Sequence, residues 1–512
     1  MLCAAFNHIF SILYKYSSMT YPSIAIIGSG FSGMTTAIQL KKKLNLSADI
    51  FESTEDIGGT WHYNQYPQAA SDVPSHLYSF SFELNPNWSQ QYSGQKEIHE
   101  YMRSVARKHH IYEQTQFNTE VVRASWIEKT KKWEIELKTS GSEETQTRLY
   151  DFIFSGVGAI RVPNIPKEFE PFQGKIIHSS YWDNDYDFTG KTVAIIGSGT
   201  SSVQIVPYLA SKATHLHNYL RTPTWITPRN NFYYPNFIKR LFSFFPFLMR
   251  IYRAYQFFMR ELRFGVWGDA NSWIAKFFRK RLEKQMTQLL ISKGRPDLIS
   301  KLIPDITPGC KRIGISDDYL QALCQSNVTV NTSPIVNVQG QTITTADGSQ
   351  THVDVLCLAT GFNVNGFLGH MQVYGRNNVH LNKLWDDNGA RTYKTVNIHG
   401  FPNFFMMLGP GSGLGHNSVV TMIECQIDYG IRLLEYMLKN NIQCMDPKEE
   451  AQDKFSAQLQ KDFKGTTWAT GCKSWYLSKK SGEIQFLWPK TVTSFYYMLN
   501  KKIEHTKDYI KN

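Results

Sequence analysis

Two short glycine-rich turns are the stretches of this chain whose residue types and spacing most directly imply chemistry. The first, Gly28-Ser-Gly30-Phe31-Ser32-Gly33, follows an apolar run from Ser23 and opens into the helix-compatible MTTAIQLKKKL. In such a turn the first glycine permits a tight bend, the second lets main chain approach a pyrophosphate, and the third allows close helix packing. The helix N-terminus attracts the phosphates. Glu52 ends the next strand-like run, ADIFE. It stands about twenty residues on, where an acid hydrogen-bonds ribose hydroxyls. Strand, turn, helix and acid together predict a dinucleotide site.

The second turn, Gly197-Ser-Gly199-Thr200-Ser201-Ser202, carries serine in the third place but follows the strand-like KTVAIIG. The next strand, HLHNYL, ends at Arg221 instead of an acid. A carboxylate there would repel a 2′-phosphate and Arg pairs with one, so the second nucleotide reads as NADP.

Three further stretches carry candidate chemistry. Gly58-Gly59-Thr60-Trp61 leads into YPQAASDVPSHLYSF, a turn-rich segment holding Asp72, which reads as a loop over a ligand; an Asp in such a setting is more often a cap or turn residue. In PGCKRIGISDDYL, Lys311 and Arg312 are adjacent, and neighbours in an extended segment face opposite ways. One could meet a cofactor phosphate and the other the reaction centre, although a solvated charge cluster looks the same. FFMMLGPGSGLGHNS supplies a strand, a glycine-rich turn and a helix start near His416 to Ser418, apt for an electron-rich ligand edge.

The elements that must position these residues read as α/β. The stretches VVRASWIEK and WEIELK, separated by Thr130-Lys131-Lys132, predict an antiparallel hairpin, and DFIFSGVG a buried strand. VDVLCLATGF, from Val353, reads as a buried strand returning to the first domain. From Pro228 to about Pro304 the pattern becomes aromatic and basic helices, expected as an insert with solvated basic faces. The expected domains are an extension at 1–20, a first dinucleotide domain at 21–165 and 346–512, a second at 166–227 and 305–345, and the insert at 228–304.

The 512 residues are 42% hydrophobic, with a formal charge of +12 concentrated in the insert and no nucleic-acid motif. The seven cysteines contain no C-x-x-C pair and no zinc-type spacing, so neither a disulfide framework nor a metal site is expected; a cytoplasmic, reducing compartment is. Residues 1–20 are moderately apolar without a basic lead or a run that spans a bilayer.

Between the two turns lies Phe172-x-Gly174-x-x-x-His178-x-x-x-Trp182-Asp183. Together with both turns, Glu52, Gly59-Thr60-Trp61 and Ala359-Thr360-Gly361, it resembles the F-x-G-x-x-x-H-x-x-x-W-[PD] fingerprint of Baeyer–Villiger monooxygenases, over about residues 21 to 500. The resemblance implies two Rossmann-like domains, for FAD and NADP, with a helical insert in the NADP domain. It implies an enzyme that uses NADPH, FAD and O2 to convert a ketone to an ester or lactone through a C4a-peroxyflavin. Asp72 then looks like an acid that orients a catalytic Arg, and Arg312 like that Arg. Lys311 and Arg221 resemble 2′-phosphate ligands, and Trp475 a mobile-loop contact to NADP. Tyr78, Val121, Gln204, Thr222 and Gly361 are further expected cofactor contacts. His178 is expected to link the domains, since no nucleophile stands near it. Gln65, Gln68, Ser71 and Ser155-Gly156-Val157-Gly158 depart from the family's usual residues. Nitrogen or sulfur oxygenation, and flavin binding without turnover, are the alternative readings. For the insert, an interfacial helix lying on a membrane is the alternative reading, and membrane contact is not the expected one.

Overall fold

The computed structural model describes residues 21–512 apart from 365, 473, 475, 479 and 502–506. The extension 1–20 and Trp475 thus lie outside the described residues.

The first sheet is parallel, in the order Phe404–Met406, Phe152–Ser155, Ile24–Ile27, Asp49–Phe51, Thr115–Gln116. All four residues of Ile24–Ile27 are buried, because neighbouring strands flank it, helices cover one face and the antiparallel hairpin sheet covers the other; hence its unbroken apolar run. Helix Phe31–Leu44 leaves the first glycine turn and packs against Val419–Lys439. The predicted hairpin is present as Thr119–Ile127 against Lys132–Thr139, with Trp126 opposite Trp133.

The second sheet is also parallel: Val328–Asn331, His215–Tyr219, Thr192–Ile196, Val355–Leu358, Lys175–His178. Here one expectation is corrected. Val355–Leu358 does not return to the first domain; it pairs Val355 with Val193 and Lys175, inside the second sheet. A strand buried at every residue reads alike in either sheet, and only its pairing assigns it. The first domain therefore resumes after residue 358, not at 346.

The fingerprint builds the edge of this sheet. Phe172 bridges to Gly340, and a Cβ on Gly174 would meet the Asp354 carbonyl oxygen at 2.5 Å and the Phe172 ring at 2.7 Å. Trp182 stacks on Phe188 at 5.6 Å, and Asp183 accepts from Lys175 Nζ at 2.8 Å. His178 ends the edge strand, its Nδ1 accepting the Ser180 main-chain N–H at 3.2 Å.

The insert folds as helices Asn236–Phe244, Pro246–Leu262, Phe264–Trp267 and Trp273–Ser292. Its basic residues are not all solvated. Arg260 is 7% exposed, and Arg253 Nη1 donates to the carbonyls of His76 at 2.6 Å and Leu77 at 3.1 Å. Those guanidiniums tie the insert to the first domain. No helix among the described residues is long and apolar enough to cross a membrane.

A second correction concerns cysteine. Cys310 and Cys472 form a disulfide, invisible to spacing rules because 162 residues separate the partners. It joins the Lys311-Arg312 segment to the stretch just before Trp475.

Histidine burial predicts a pH dependence of stability. His76 lies among the rings of Tyr234, Phe242 and Tyr252, and burial, reinforced by the charge of Arg253, lowers its pKa to about 4. His178 and His217 are likewise lowered to about 4 by burial. The unfolded chain takes up these protons from about pH 6.5 and the folded one only near 4, so stability falls as pH drops through that window. Thermal melts from neutral to mildly acidic pH are expected to show this fall, with a shallower slope in His76→Phe.

Candidate active site

A cavity of about 900 Å³ lies between the two sheets, where both glycine turns open. The first turn reaches it because three side chains are missing. Gly28 has φ +90°, and a Cβ there would lie 2.8 Å from the Gly156 carbonyl oxygen. At Gly30 a Cβ would stand 3.6 Å from the Gly59 Cα, so two glycine segments approach main chain to main chain. A Cβ on Gly33 would overlap the carbonyl oxygen of Gly28. Gly33→Ala is therefore expected to push the helix off the turn, at about 1–3 kcal/mol. The purified variant should lose most of its flavin absorbance if this cradle holds the flavin nucleotide.

Gly28, Gly30, Phe31, Ser32 and Glu52 line the cavity, as do Gly59, Thr60, Trp61, Tyr78 and Val121. The second domain contributes Gly197, Gly199, Thr200, Ser201 and Gln204, then Arg221, Thr222 and Lys311, and Gly361 lines the cavity just after the chain leaves that domain's sheet. Of the expected contacts that are described, Gly33 and Ser202 do not line it. Both are turned into helix packing, and Ser202 is fully buried. No fingerprint side chain lines it either.

Both carboxylate oxygens of Glu52 are held by the protein. One carboxylate oxygen accepts the Ser29 N–H and hydroxyl, both at 2.8 Å, and the other accepts from Thr54 N at 3.0 Å and Thr54 Oγ1 at 2.9 Å. It locks the glycine turn to the end of the neighbouring strand. Trp61 Nε1 donates to Tyr78 OH at 3.2 Å, and burial pushes the Tyr78 phenol up to about 12. Tyr66, which sequence reasoning missed, donates its hydroxyl to Gln204 Oε1 at 3.0 Å, and Gln204 Nε2 donates to Ala70 O at 3.1 Å. These bonds clasp the two domains across the cavity.

Asp72 and Arg312, 240 positions apart, meet here: Arg312 Nε and one Nη donate to Asp72 Oδ2 at 3.0 and 2.6 Å. Burial alone would raise the Asp72 carboxyl, but the Arg312 charge and hydrogen bonds, with Arg260 behind them, hold it below the usual range. The Asp72 charge in turn raises Arg312. The pair therefore stays ionised across neutral pH. Arg260, also missed, donates to the Asp72 carbonyl at 3.3 Å and to Tyr92 OH at 3.0 Å. Lys311 lies near Arg221 instead. Its ammonium is depressed by burial and by the charge of Arg221, so two cations share one end of the cavity.

A smaller chamber of about 500 Å³ shares the Asp72–Arg312 wall, and the insert closes its other side with Arg260, Trp267 and Phe278. Asp56, His62 and His99 bring ligand-type atoms within 4.8 Å of one another. Two of the three are otherwise engaged: Asp56 pairs with Arg103 and Tyr112, and His99 Nε2 donates to Ile57 O at 2.7 Å.

Two parallel-sheet domains, each presenting a glycine turn to one cavity with an ion-paired arginine between them, define a protein that brings two dinucleotides together at a reaction centre. The family model "Flavin-binding monooxygenase-like" matches residues 22–385, and the chain belongs to that family. A Baeyer–Villiger monooxygenase of Pseudomonas aeruginosa is 36% identical over 472 residues, 91% of this chain and 87% of the relative. An FAD-binding monooxygenase of Aspergillus niger is 37% identical over 489 residues, covering 93% and 80%. Among solved structures, OTEMO in complex with FAD and NADP superposes with a TM-score of 0.84 at 26% identity, over 96% of this chain and all of that one.

Proposed function

We propose that the protein is an NADPH- and FAD-dependent monooxygenase of Baeyer–Villiger type, which inserts one oxygen atom of O2 beside a ketone carbonyl to give an ester or lactone. The observation that carries this reading is the Asp72–Arg312 pair, set where the two nucleotide cradles meet. A fixed, charged donor there suits a step in which negative charge grows on a substrate oxygen.

The glycine turn at 28–33, closed by Glu52, would hold FAD, and the turn at 197–202, with Arg221 and Lys311, would hold NADPH. When bound, the two supply hydride transfer and the reductive activation of O2. The chain's own contribution is electrostatic. Asp72 accepts from Nε and one Nη of Arg312, which fixes the guanidinium plane and leaves the other Nη without a protein partner among the described residues. That donor is suited to the negative charge that grows on a ketone oxygen as its carbon becomes tetrahedral. Because the donor is already oriented, little reorganisation is needed at the moment of reaction. Tyr66 and Gln204 hold the domains closed over the cavity and so help keep water from it.

The test is a panel of cyclic and open-chain ketones assayed for NADPH-dependent O2 uptake with product identification. Esters or lactones in stoichiometry with NADPH support the reading. Sulfoxides or N-oxides with no ester from any ketone would refute it.

A further inference from the structure

The Pro246–Leu262 helix is amphipathic in the reverse sense. Phe247, Ile251, Tyr255, Phe258 and Leu262 recur every three or four residues and are all exposed. The face turned to the protein carries Met249, Gln256 and Arg260, all buried, together with Arg253, whose guanidinium is spent on main-chain carbonyls. The preceding helix, Asn236–Phe244, repeats the pattern with Phe237, Leu241 and Phe244 outward and Phe242 inward. The two helices pack together through Phe242 and Tyr252, at 5.6 Å. Phe244 is 78% exposed, and so is Trp273 to 76% at the start of the next long helix. An isolated exposed aromatic needs no explanation, but an ordered stripe over successive helices marks a surface that something covers.

Charge identifies the cover. Between residues 236 and 281 the chain has ten Lys and Arg against two acids, Glu261 and Asp269. Glu261 is already engaged by Asn417, Thr493 and His416. Arg240, Arg250, Lys276 and Lys280 are exposed on the same helices as the aromatics. A second copy of this chain on a two-fold axis would set these cations against themselves. Aromatic and aliphatic side chains flanked by Lys and Arg suit an anionic bilayer surface, the apolar stripe entering the headgroup region while the cations meet phosphate and carboxylate.

We propose that this insert is a docking surface for anionic lipid membranes, lying on the bilayer without crossing it. The inward face of the same insert walls the chamber beside Asp72 and Arg312, so docking sets that chamber next to the lipid.

The test is co-flotation of the full-length, flavin-loaded protein with vesicles of phosphatidylcholine alone and of phosphatidylcholine with phosphatidylserine. Strong binding to the mixed vesicles is expected, weakened by salt and by omission of phosphatidylserine. In Phe247→Ser/Tyr255→Ser/Phe258→Ser it should fall at least roughly tenfold, since three interfacial side chains are lost. Flavin content checks that this variant is folded. A chain starting at Met19 should bind as the whole chain does. Absence of flotation overturns the proposal, as does undiminished binding by a folded triple variant or loss of binding in the Met19 chain. So does a concentration-dependent dimer that the triple variant disperses.

Discussion

Arg312→Met is expected to lower kcat for ketone oxygenation by about 100- to 1,000-fold, the usual loss when one preorganised donor to a developing oxyanion is removed. The substitution keeps much of the side-chain volume and removes both the charge and the donor. It also leaves Asp72 without the partner that holds its carboxyl ionised. Asp72→Asn should cost less, because Arg312 keeps its charge and loses only its alignment. If the two act as one device, the double variant will be little worse than Arg312→Met, a non-additivity expected of residues in direct contact. Flavin content and NADPH oxidation separate this outcome from misfolding. A folded Arg312→Met enzyme should still bind flavin and oxidise NADPH, with O2 recovered as hydrogen peroxide instead of ester. Unimpaired ester formation would remove Arg312 from the mechanism. Neither Asp72, lowered, nor Arg312, raised, changes charge near neutrality, so any limb of the pH profile there must come from another group.

Different parts of this site were legible in the sequence for different reasons. The first glycine turn is readable because part of its steric constraint acts locally: Gly28 adopts φ +90°, and a Cβ at Gly33 would overlap the carbonyl oxygen of Gly28 within the same turn. The hairpin is readable because one face is buried, which makes its residues alternate. Asp72 and Arg312 are different. Each alone reads as a turn residue or a surface cation, and only family resemblance joined them, since 240 residues of chain separate the pair. The Val355–Leu358 strand was assigned to the wrong sheet because complete burial erases the periodicity that could distinguish its neighbours. The Cys310–Cys472 bond left no spacing signal at all. The insert misled for a physical reason. Helix patterning assumes that charge faces water, whereas Arg253 and Arg260 find carbonyl and phenol acceptors inside and leave the aromatics outside. Their inward direction depends on acceptors at His76, Leu77, Asp72 and Tyr92, which belong to another domain and cannot be read from the helix itself.

The largest effect on cofactor choice is expected at the opposite end of the cavity. Arg221 and Lys311 both line it, and the Lys311 ammonium is depressed first by burial and then by the charge of Arg221. Two cations held near each other are a cost to the free protein, and a phosphate between them relieves it. A charge-assisted contact contributes about 1.5–3 kcal/mol. Each of Arg221→Ala and Lys311→Ala should therefore raise KM for NADPH by roughly 10- to 150-fold, while KM for NADH, which has no 2′-phosphate, changes little. In the double variant the preference for NADPH should collapse. Protons provide a second and independent readout. Since Lys311 has a depressed pKa that a bound dianion would raise, NADP+ binding at alkaline pH should take up a proton in the wild type and not in Lys311→Ala. That uptake is measurable as a buffer-dependent heat in calorimetry. If the double variant keeps its preference for NADPH and the proton uptake persists in Lys311→Ala, the 2′-phosphate is held by other residues and the second cradle must be reassigned.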